Sequence, residues 1–224
     1  MTDPVRAATL RAEIESLLRK GAIAEVDPET CSPRLYSPYF LVPKASGGLR
    51  PIMDLRRLNA YVKTLPFKML TSAQVLSSVS EGEWFTLVDL KDAYFHVPIH
   101  RLHWRFLRFA FGTREYEYRV LPFGLSLSPR VFTRVVAAVL APLHLEGVRV
   151  LPYLDDWLIQ AASYQQAVRD TARVVSHVQR LGFKLNWEKS MLTPSQRITF
   201  VGITLDSVSM LATLPPRRVE GLLS

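Results

Sequence analysis

Cysteine is almost missing from this sequence, and its scarcity excludes two kinds of stabilising site. Cys31 is the only cysteine among 224 residues, so neither an internal disulfide nor a cysteine-based zinc site is possible. Long apolar runs are missing too: no stretch approaches the ~20 residues that a helix needs to cross a bilayer, and the N-terminus lacks an apolar signal core. The sequence has no internal repeat and no low-complexity tract. These absences predict an intracellular protein of the cytoplasm or nucleus.

The composition is that of a folded, basic protein. The 224 residues are enough for one large domain or two small ones, and hydrophobic and aromatic contents of 48% and 10% are ample for a core. Lysine and arginine number 28 against 20 aspartates and glutamates, giving a net charge of +8. Such an excess favours a polyanionic partner, either nucleic acid or an acidic membrane surface.

Two adjacent acids, Asp155 and Asp156, interrupt the apolar run from Val150 to Ile159. The pattern predicts a strand, a tight turn that carries the acids, and a second strand. Because neighbouring carboxylates repel each other, a buried hairpin of this kind needs solvent or a cation at its end. A divalent metal site and a solvated Asp-Asp turn both remain open at this point.

A second hairpin is predicted near the N-terminus. The segments 39–44 and 49–54 flank a turn with two adjacent glycines, which tolerate the positive φ values of hairpin turns. Lys44 and Arg50 lie near the two mouths of this loop. They form either a clamp for phosphates or a pair of ordinary solvated cations.

A third acid, Asp89, follows the buried-strand pattern Trp84 to Val88. An acid at the tip of an apolar strand is costly unless it is hydrated, hydrogen-bonded or metal-bound. The remaining predicted elements are helices at 4–20, 72–79, 129–143 (with Ser128 as its N-cap) and 163–181, and strands at 104–111, 115–121 and 198–205.

The order of these elements predicts how the acids meet. From Trp84 onward, with the strands at 104–121 set aside, the order is strand, helix, strand, strand, helix, strand, as in the split β-α-β (ferredoxin-like) fold, an antiparallel sheet with helices on one face. In that fold the first strand neighbours the central hairpin, so Asp89, Asp155 and Asp156 converge. Three such carboxylates suit two Mg²⁺ ions that assist phosphoryl transfer.

The chain resembles a reverse transcriptase of a retroelement, from about Leu10 to Leu211. The matching blocks are Leu41 to Asn59 for the fingers, Phe85 to Phe95 for the first catalytic block, Leu121 to Pro129 for the template and nucleotide loop, Tyr153 to Asp156 for the Tyr-x-Asp-Asp signature, Leu181 to Lys189 for the lysine block, and Phe200 to Leu205 for the strand that grips the primer end. The wording of these blocks looks most like that of tyrosine-recombinase retrotransposons of the DIRS or Ngaro kind. The residues that suggest this are Leu154 within the signature, Trp157 after it and Phe123 in the loop.

The resemblance implies an α+β fold, the fingers and palm of a right-hand polymerase. The implied domains are an N-terminal helix and fingers at 1–83 and a palm at 84–211 with a fingers insertion at about 96–120. Residues 212–224 would begin a truncated thumb.

The resemblance also implies a role for each candidate site residue. Asp89 and Asp155 would ligate both Mg²⁺ ions, which Mn²⁺ can replace, with Asp156 as the third acid and the carbonyl of Leu90 as a further ligand. Tyr94 would be the steric gate that rejects a 2′-hydroxyl. Four residues would serve the nucleotide: Lys44 and Arg50 at the triphosphate, and Phe123 and Gly124 in the nucleotide and template pocket. Lys189 would be the general acid for pyrophosphate.

The implied reaction is DNA synthesis from dNTPs on a primed RNA or DNA template, with no membrane partner. Ribonuclease H and recombinase or integrase modules of the same element are possible partners. Two alternatives remain: a catalytically inactive, nucleic-acid-binding remnant of a retroelement, and a metal nuclease that uses the same acids.

Overall fold

The computed structural model describes residues 4–26, 35–43, 49–63 and 65–214. The chain divides into two compact units, a first unit of Met1–Pro66 with Tyr94–Pro129 and a second unit of Phe67–Ala93 with Arg130–Ser224. The predictions for Cys31, Lys44, the glycine-containing turn at 45–48 and the segment 215–224 lie outside the described residues. Within the described part, no helix has both the length and the apolar character needed to span a bilayer.

The helices and strands of the described residues are numbered along the chain, each kind separately. The helices are α1 (Pro4–Arg19), α2 (Arg56–Asn59), α3 (Ser72–Ser78), α4 (Ser128–Leu145) and α5 (Tyr164–Arg180), with 3-10 helices at Ala93–His96 and Arg101–Phe106. The strands are β1 (Ile23–Glu25), β2 (Tyr39–Pro43), β3 (Leu49–Met53), β4 (Trp84–Asp89), β5 (Arg108–Phe111), β6 (Arg114–Tyr118), β7 (Arg149–Tyr153), β8 (Asp156–Ala161), β9 (Met191–Ser195), β10 (Arg197–Phe200), β11 (Ile203–Asp206) and β12 (Leu211–Thr213).

The first unit contains two small antiparallel sheets. Strands β1, β6 and β5 form one sheet in that order, and β2 pairs with β3 in the predicted hairpin. Helix α1 buries Leu10, Ile14 and Leu17, whose helical spacing the sequence displays.

The second unit is built on a four-stranded antiparallel sheet in the order β7-β8-β4-β9. Helix α5 packs against β4, β8 and β9. The neighbouring positions of β4 and the β7-β8 hairpin are those of the split β-α-β fold, so the predicted α+β class is confirmed.

The predicted strand 198–205 is wrong as a single strand. Val201 and Gly202 have φ values of 50° and 73°, and this pair of positive φ angles is typical of a two-residue hairpin turn. The chain therefore folds back into β10 and β11, which pair with each other and with β12 in a separate sheet. The last strand of the main sheet is β9 instead, which contains Pro194 and lies at the sheet edge, where proline is tolerated.

The predicted strand 104–111 is too long at its beginning. Arg101–Phe106 is a 3-10 helix whose N-cap is His100, and the strand begins only at Arg108. The aromatic residues in this segment raise its strand propensity, but they take part in side-chain stacks, including Trp104 with Arg119 at 4.6 Å.

The core of the second unit joins the main sheet to the β10-β11 hairpin. Phe85 of β4 and Leu158 of β8 pack with Phe200 and Leu205, and Val75 of α3 completes the cluster. The three-dimensional units divide the chain near residues 66, 93 and 129. The functional division into fingers, palm and thumb remains a proposal.

Candidate active site

The pairing of β4 with β8 brings the predicted acids together. Asp89 is the last residue of β4 and stands opposite Asp156, the first residue of β8. Asp155 lies in the turn just before β8, where its carbonyl accepts a hydrogen bond of 2.8 Å from the backbone N–H of Leu90. The sequence placed both Asp155 and Asp156 in the turn, but Asp156 already belongs to the strand.

The turn that carries Asp155 has an unusual backbone. Leu154 has a φ of 52°, a left-handed conformation that costs an L-residue roughly 1–2 kcal/mol. Trp157 is fully buried, and its indole Nε1–H donates a 2.9 Å hydrogen bond to the Leu154 carbonyl. This bond helps to hold the turn, and therefore the acids, in place.

Burial and neighbouring negative charges raise the pKa of both Asp155 and Asp156. Burial raises the pKa of Asp156 to about 6, aided by the charge of Asp155 and by a hydrogen bond with Asp89. Burial also raises the pKa of Asp155, and the Asp89 charge adds to that effect. Lys189 opposes both shifts.

The chemistry of these acids fits a divalent cation. Carboxylates whose pKa is raised by burial and by one another's charge are stabilised in their ionised form by a positive charge between them. Among the described residues, no group of three His, Cys, Asp or Glu side chains is placed to hold a metal ion. Mg²⁺ does not require such a group, because it keeps several waters and binds one or two carboxylates together with substrate phosphates.

Sequence reasoning missed two residues that fix Asp89. The backbone N–H of Asp89 donates to the Ser190 hydroxyl at 3.0 Å, and that hydroxyl donates to the Asn186 carbonyl at 2.8 Å. The Asn186 N–H donates in turn to the Asp89 carbonyl at 2.8 Å. This closed set of hydrogen bonds ties Asp89 to the segment that carries Lys189. A side chain that bonds to backbone atoms leaves no periodic signal in the sequence.

Three further predicted site residues belong to the first unit. Tyr94 is 7% exposed, and its ring centroid lies 4.9 Å from that of Phe123, which is 61% exposed. Gly124 has a φ of 91°, and a Cβ there would lie 3.4 Å from the Met53 carbonyl oxygen. Gly124 is thus required by its backbone conformation.

The two predicted phosphate-binding cations are described only in part. Lys44 lies outside the described residues. Arg50 lies in β3, where its backbone pairs with Val42 of β2. Their role at a triphosphate therefore stays a prediction.

The α+β fold with its antiparallel sheets matches that of foamy viral reverse transcriptases of known structure. Residues 42–205 match the model of the family described as reverse transcriptase (RNA-dependent DNA polymerase). The chain belongs to the reverse transcriptase family.

Relatives of the chain are retroviral and retrotransposon polyproteins. The chain is 33% identical over 181 residues to the Gag-Pol polyprotein of avian leukosis virus subgroup A (isolate RSA), a match that covers 76% of this chain and 11% of the polyprotein. It is 28% identical over 199 residues to the Transposon Tf2-3 polyprotein of Schizosaccharomyces pombe (strain 972 / ATCC 24843), with 89% and 14% covered. The chain therefore spans only a small part of these relatives.

Solved structures share the fold. A foamy viral protease-reverse transcriptase in complex with double-stranded DNA matches with a TM-score of 0.83 and 19% identity, covering 99% of this chain and 37% of that one. The foamy viral enzyme in complex with an RNA/DNA hybrid matches with a TM-score of 0.81 and 18% identity, covering 100% and 29%.

Proposed function

We propose that this chain carries the polymerase activity of a retroelement reverse transcriptase. A primer 3′-hydroxyl attacks the α-phosphate of a dNTP on an RNA or DNA template, and pyrophosphate leaves. The observation that carries the proposal is the pairing of Asp89 with Asp156, next to Asp155, in the main sheet of a reverse transcriptase fold. Positioning and charge, more than covalent chemistry, drive such phosphoryl transfer.

The acids are proposed as the metal ligands. Asp89 and Asp155 would hold two Mg²⁺ or Mn²⁺ ions, with Asp156 and the Leu90 carbonyl in support. When bound, such ions activate the attacking hydroxyl and neutralise charge on the leaving oxygen. The backbone hydrogen bonds around Asp89 keep its carboxylate oriented for this task.

The other predicted residues receive roles at the nucleotide. Tyr94 would exclude a ribose 2′-hydroxyl, and Phe123 and Gly124 would line the pocket. Lys44 and Arg50 would neutralise the triphosphate. Lys189 would give a proton to pyrophosphate, which is consistent with its electrostatic influence on Asp155 and Asp156.

The proposed partners are a primed template and, in a longer product, further modules. The foamy viral relatives were solved with double-stranded DNA and with an RNA/DNA hybrid, and the net charge of +8 suits either polyanion. Ribonuclease H and recombinase or integrase segments would act alongside. Leu154, Trp157 and Phe123 are the residues that support placement among DIRS- or Ngaro-type elements.

The decisive experiment is primer extension by the wild-type chain and by Asp155→Asn. We expect the wild-type chain to add dNTPs with Mg²⁺, and the variant to be slower by about two to three orders of magnitude, a typical loss when one preorganised polar group is removed from a reaction site. Undiminished extension by Asp155→Asn would contradict the mechanism.

A matched control separates the loss of a negative charge in general from the loss of a carboxylate at the active site. Glu146→Gln also removes one carboxylate, but that side chain is exposed and pairs with Arg173. It should extend primers like the wild-type chain. Template binding without incorporation, even with Mn²⁺, would favour the inactive remnant, and cleavage of nucleic acid without dNTPs would favour the nuclease.

A further inference from the structure

Asn59, the last residue of α2, connects two distant parts of the first unit. Its side-chain Nδ2–H donates to the Gly124 carbonyl at 2.8 Å, across 65 positions of sequence. Its Oδ1 accepts a hydrogen bond of 2.9 Å from the backbone N–H of Ser126. The amide group of Asn59 thus pairs with alternate residues of the loop, as a neighbouring strand would do.

This pairing requires both ends of an asparagine side chain. Aspartate offers no donor to the Gly124 carbonyl, and glutamine is one methylene longer. The loop cannot replace the contact with a side-chain bond of its own at Gly124, which has no side chain. Position 59 therefore requires asparagine, and another polar side chain would not make both hydrogen bonds.

A second anchor holds the other end of the same loop. The Ser128 hydroxyl is fully buried and donates to the Pro122 carbonyl at 2.8 Å. Ser128 and Asn59 together fix the backbone on both sides of Phe123. The Phe123 ring is mostly exposed, so these backbone anchors, more than burial of the ring, set where it lies beside Tyr94.

We propose that Asn59 is a positioning residue that holds Phe123 and Gly124 in the conformation that recognises the incoming nucleotide. This inference rests on the proposed polymerase function. Asn59 belongs to the first unit and the three acids to the second. Its loss should therefore weaken nucleotide recognition more than it slows the chemical step.

Single-nucleotide insertion kinetics test the proposal with Asn59→Ala and the near-isosteric Asn59→Asp. We expect KM for the dNTP to rise about tenfold in both variants while kcat changes by less than about threefold, because the lost interaction concerns binding. In Asn59→Asp a carboxylate oxygen faces the Gly124 carbonyl and repels it. Unchanged KM in either variant, with normal extension by the wild-type chain, would overturn this inference alone.

Gln74→Ala is the matched control for lost amide hydrogen bonds. Gln74 bonds through its side chain to the backbone and hydroxyl of Thr71 at the start of α3, so its removal tests stability without touching the Phe123 loop. Gln74→Ala should leave KM unchanged. An equal rise in KM in Gln74→Ala would show a general effect of stability and overturn the inference.

Hydrogen exchange supplies a readout that needs no activity. In Asn59→Ala the Ser126 amide should exchange about tenfold faster, since its acceptor is gone and local opening becomes easier. Unchanged exchange across 121–127 would overturn the inference whatever the kinetics. No extension by the wild-type chain would overturn the proposed polymerase function, and the role of Asn59 with it.

Discussion

At the scale of single residues, the ionised Asp156 carboxylate lowers the stability of the folded protein when no metal ion is bound. Its pKa is raised to about 6 from an ordinary 3.8, so the folded state holds a proton more firmly than the unfolded state. The contribution of this carboxyl to stability is therefore most favourable below about pH 4 and falls as pH rises toward 6, beyond which its penalty is constant.

Asp156→Asn should remove that penalty. Without divalent ions near pH 7, we expect the variant to have a higher free energy of unfolding by about 1 kcal/mol, after allowance for solvent screening of a half-exposed group. The difference should disappear below about pH 4, where the wild-type carboxyl is protonated in both states. Urea unfolding at the two pH values measures this.

Asp206→Asn is a control with the opposite sign. Hydrogen bonds from the backbone of Ser209 lower the pKa of Asp206, so its removal should reduce stability at neutral pH. A stability gain in both variants would point to a general effect of reducing negative charge and would contradict the account of Asp156.

Some site residues were predictable from sequence and others were not. Asp89 and Asp156 could be paired because apolar periodicity and element order place their strands side by side. Asn59 and Ser190 act through backbone atoms of distant segments. No local pattern encodes such contacts, so they became visible only in three dimensions.

At the scale of elements, the β10-β11 hairpin is fixed to the main sheet by inward-facing side chains. Phe200 is buried with Phe85 and Leu158, whereas Thr199 beside it is exposed. Phe200→Ala should lower the free energy of unfolding by about 3–5 kcal/mol through lost burial and the cavity left behind. Chemical denaturation measures the change.

Thr199→Ala is the control from the opposite face of the same strand. Its hydroxyl bonds to that of Thr204 at an exposed position, and its loss should cost less than about 1 kcal/mol. If Phe200→Ala does not fold, Phe200→Leu should still show a smaller loss. Equal effects at both positions would contradict the inward orientation of Phe200.

The hairpin also shows where sequence patterns mislead. No polar residue interrupts the run from Phe200 to Ile203, although the chain reverses at Val201 and Gly202. Burial on both sides of a tight turn resembles burial along one straight strand. The strand that pairs with β4 at the edge of the main sheet is β9, which has little apolar alternation and includes Pro194. Its sequence therefore does not predict a strand, and its pairing with β4 is set by tertiary contacts.

At the scale of the whole molecule, charge governs the proposed grip on nucleic acid. With a net charge of +8, binding of a primer-template duplex should depend steeply on salt, because phosphate contacts release counterions. We expect Kd to rise about a hundredfold or more between roughly 50 and 200 mM salt. Fluorescence anisotropy across a salt series measures the slope.

Heparin serves as the control for this charge effect. As a polyanion without bases, it should compete with the duplex at low salt and lose that ability as salt rises. A Kd that hardly changes with salt would contradict an electrostatic grip.

The two-residue turn between β7 and β8 fixes the register in which the strands present the acids. Tyr153 pairs with Asp156, and Asp156 with Asp89, so only Leu154 and Asp155 lie between the strands. Side chains alternate between the faces of a strand, and a one-residue slip reverses every one of them. A slip of β8 by one residue against β4 would therefore turn Asp156 away from Asp89, although every acid would still be present in the sequence.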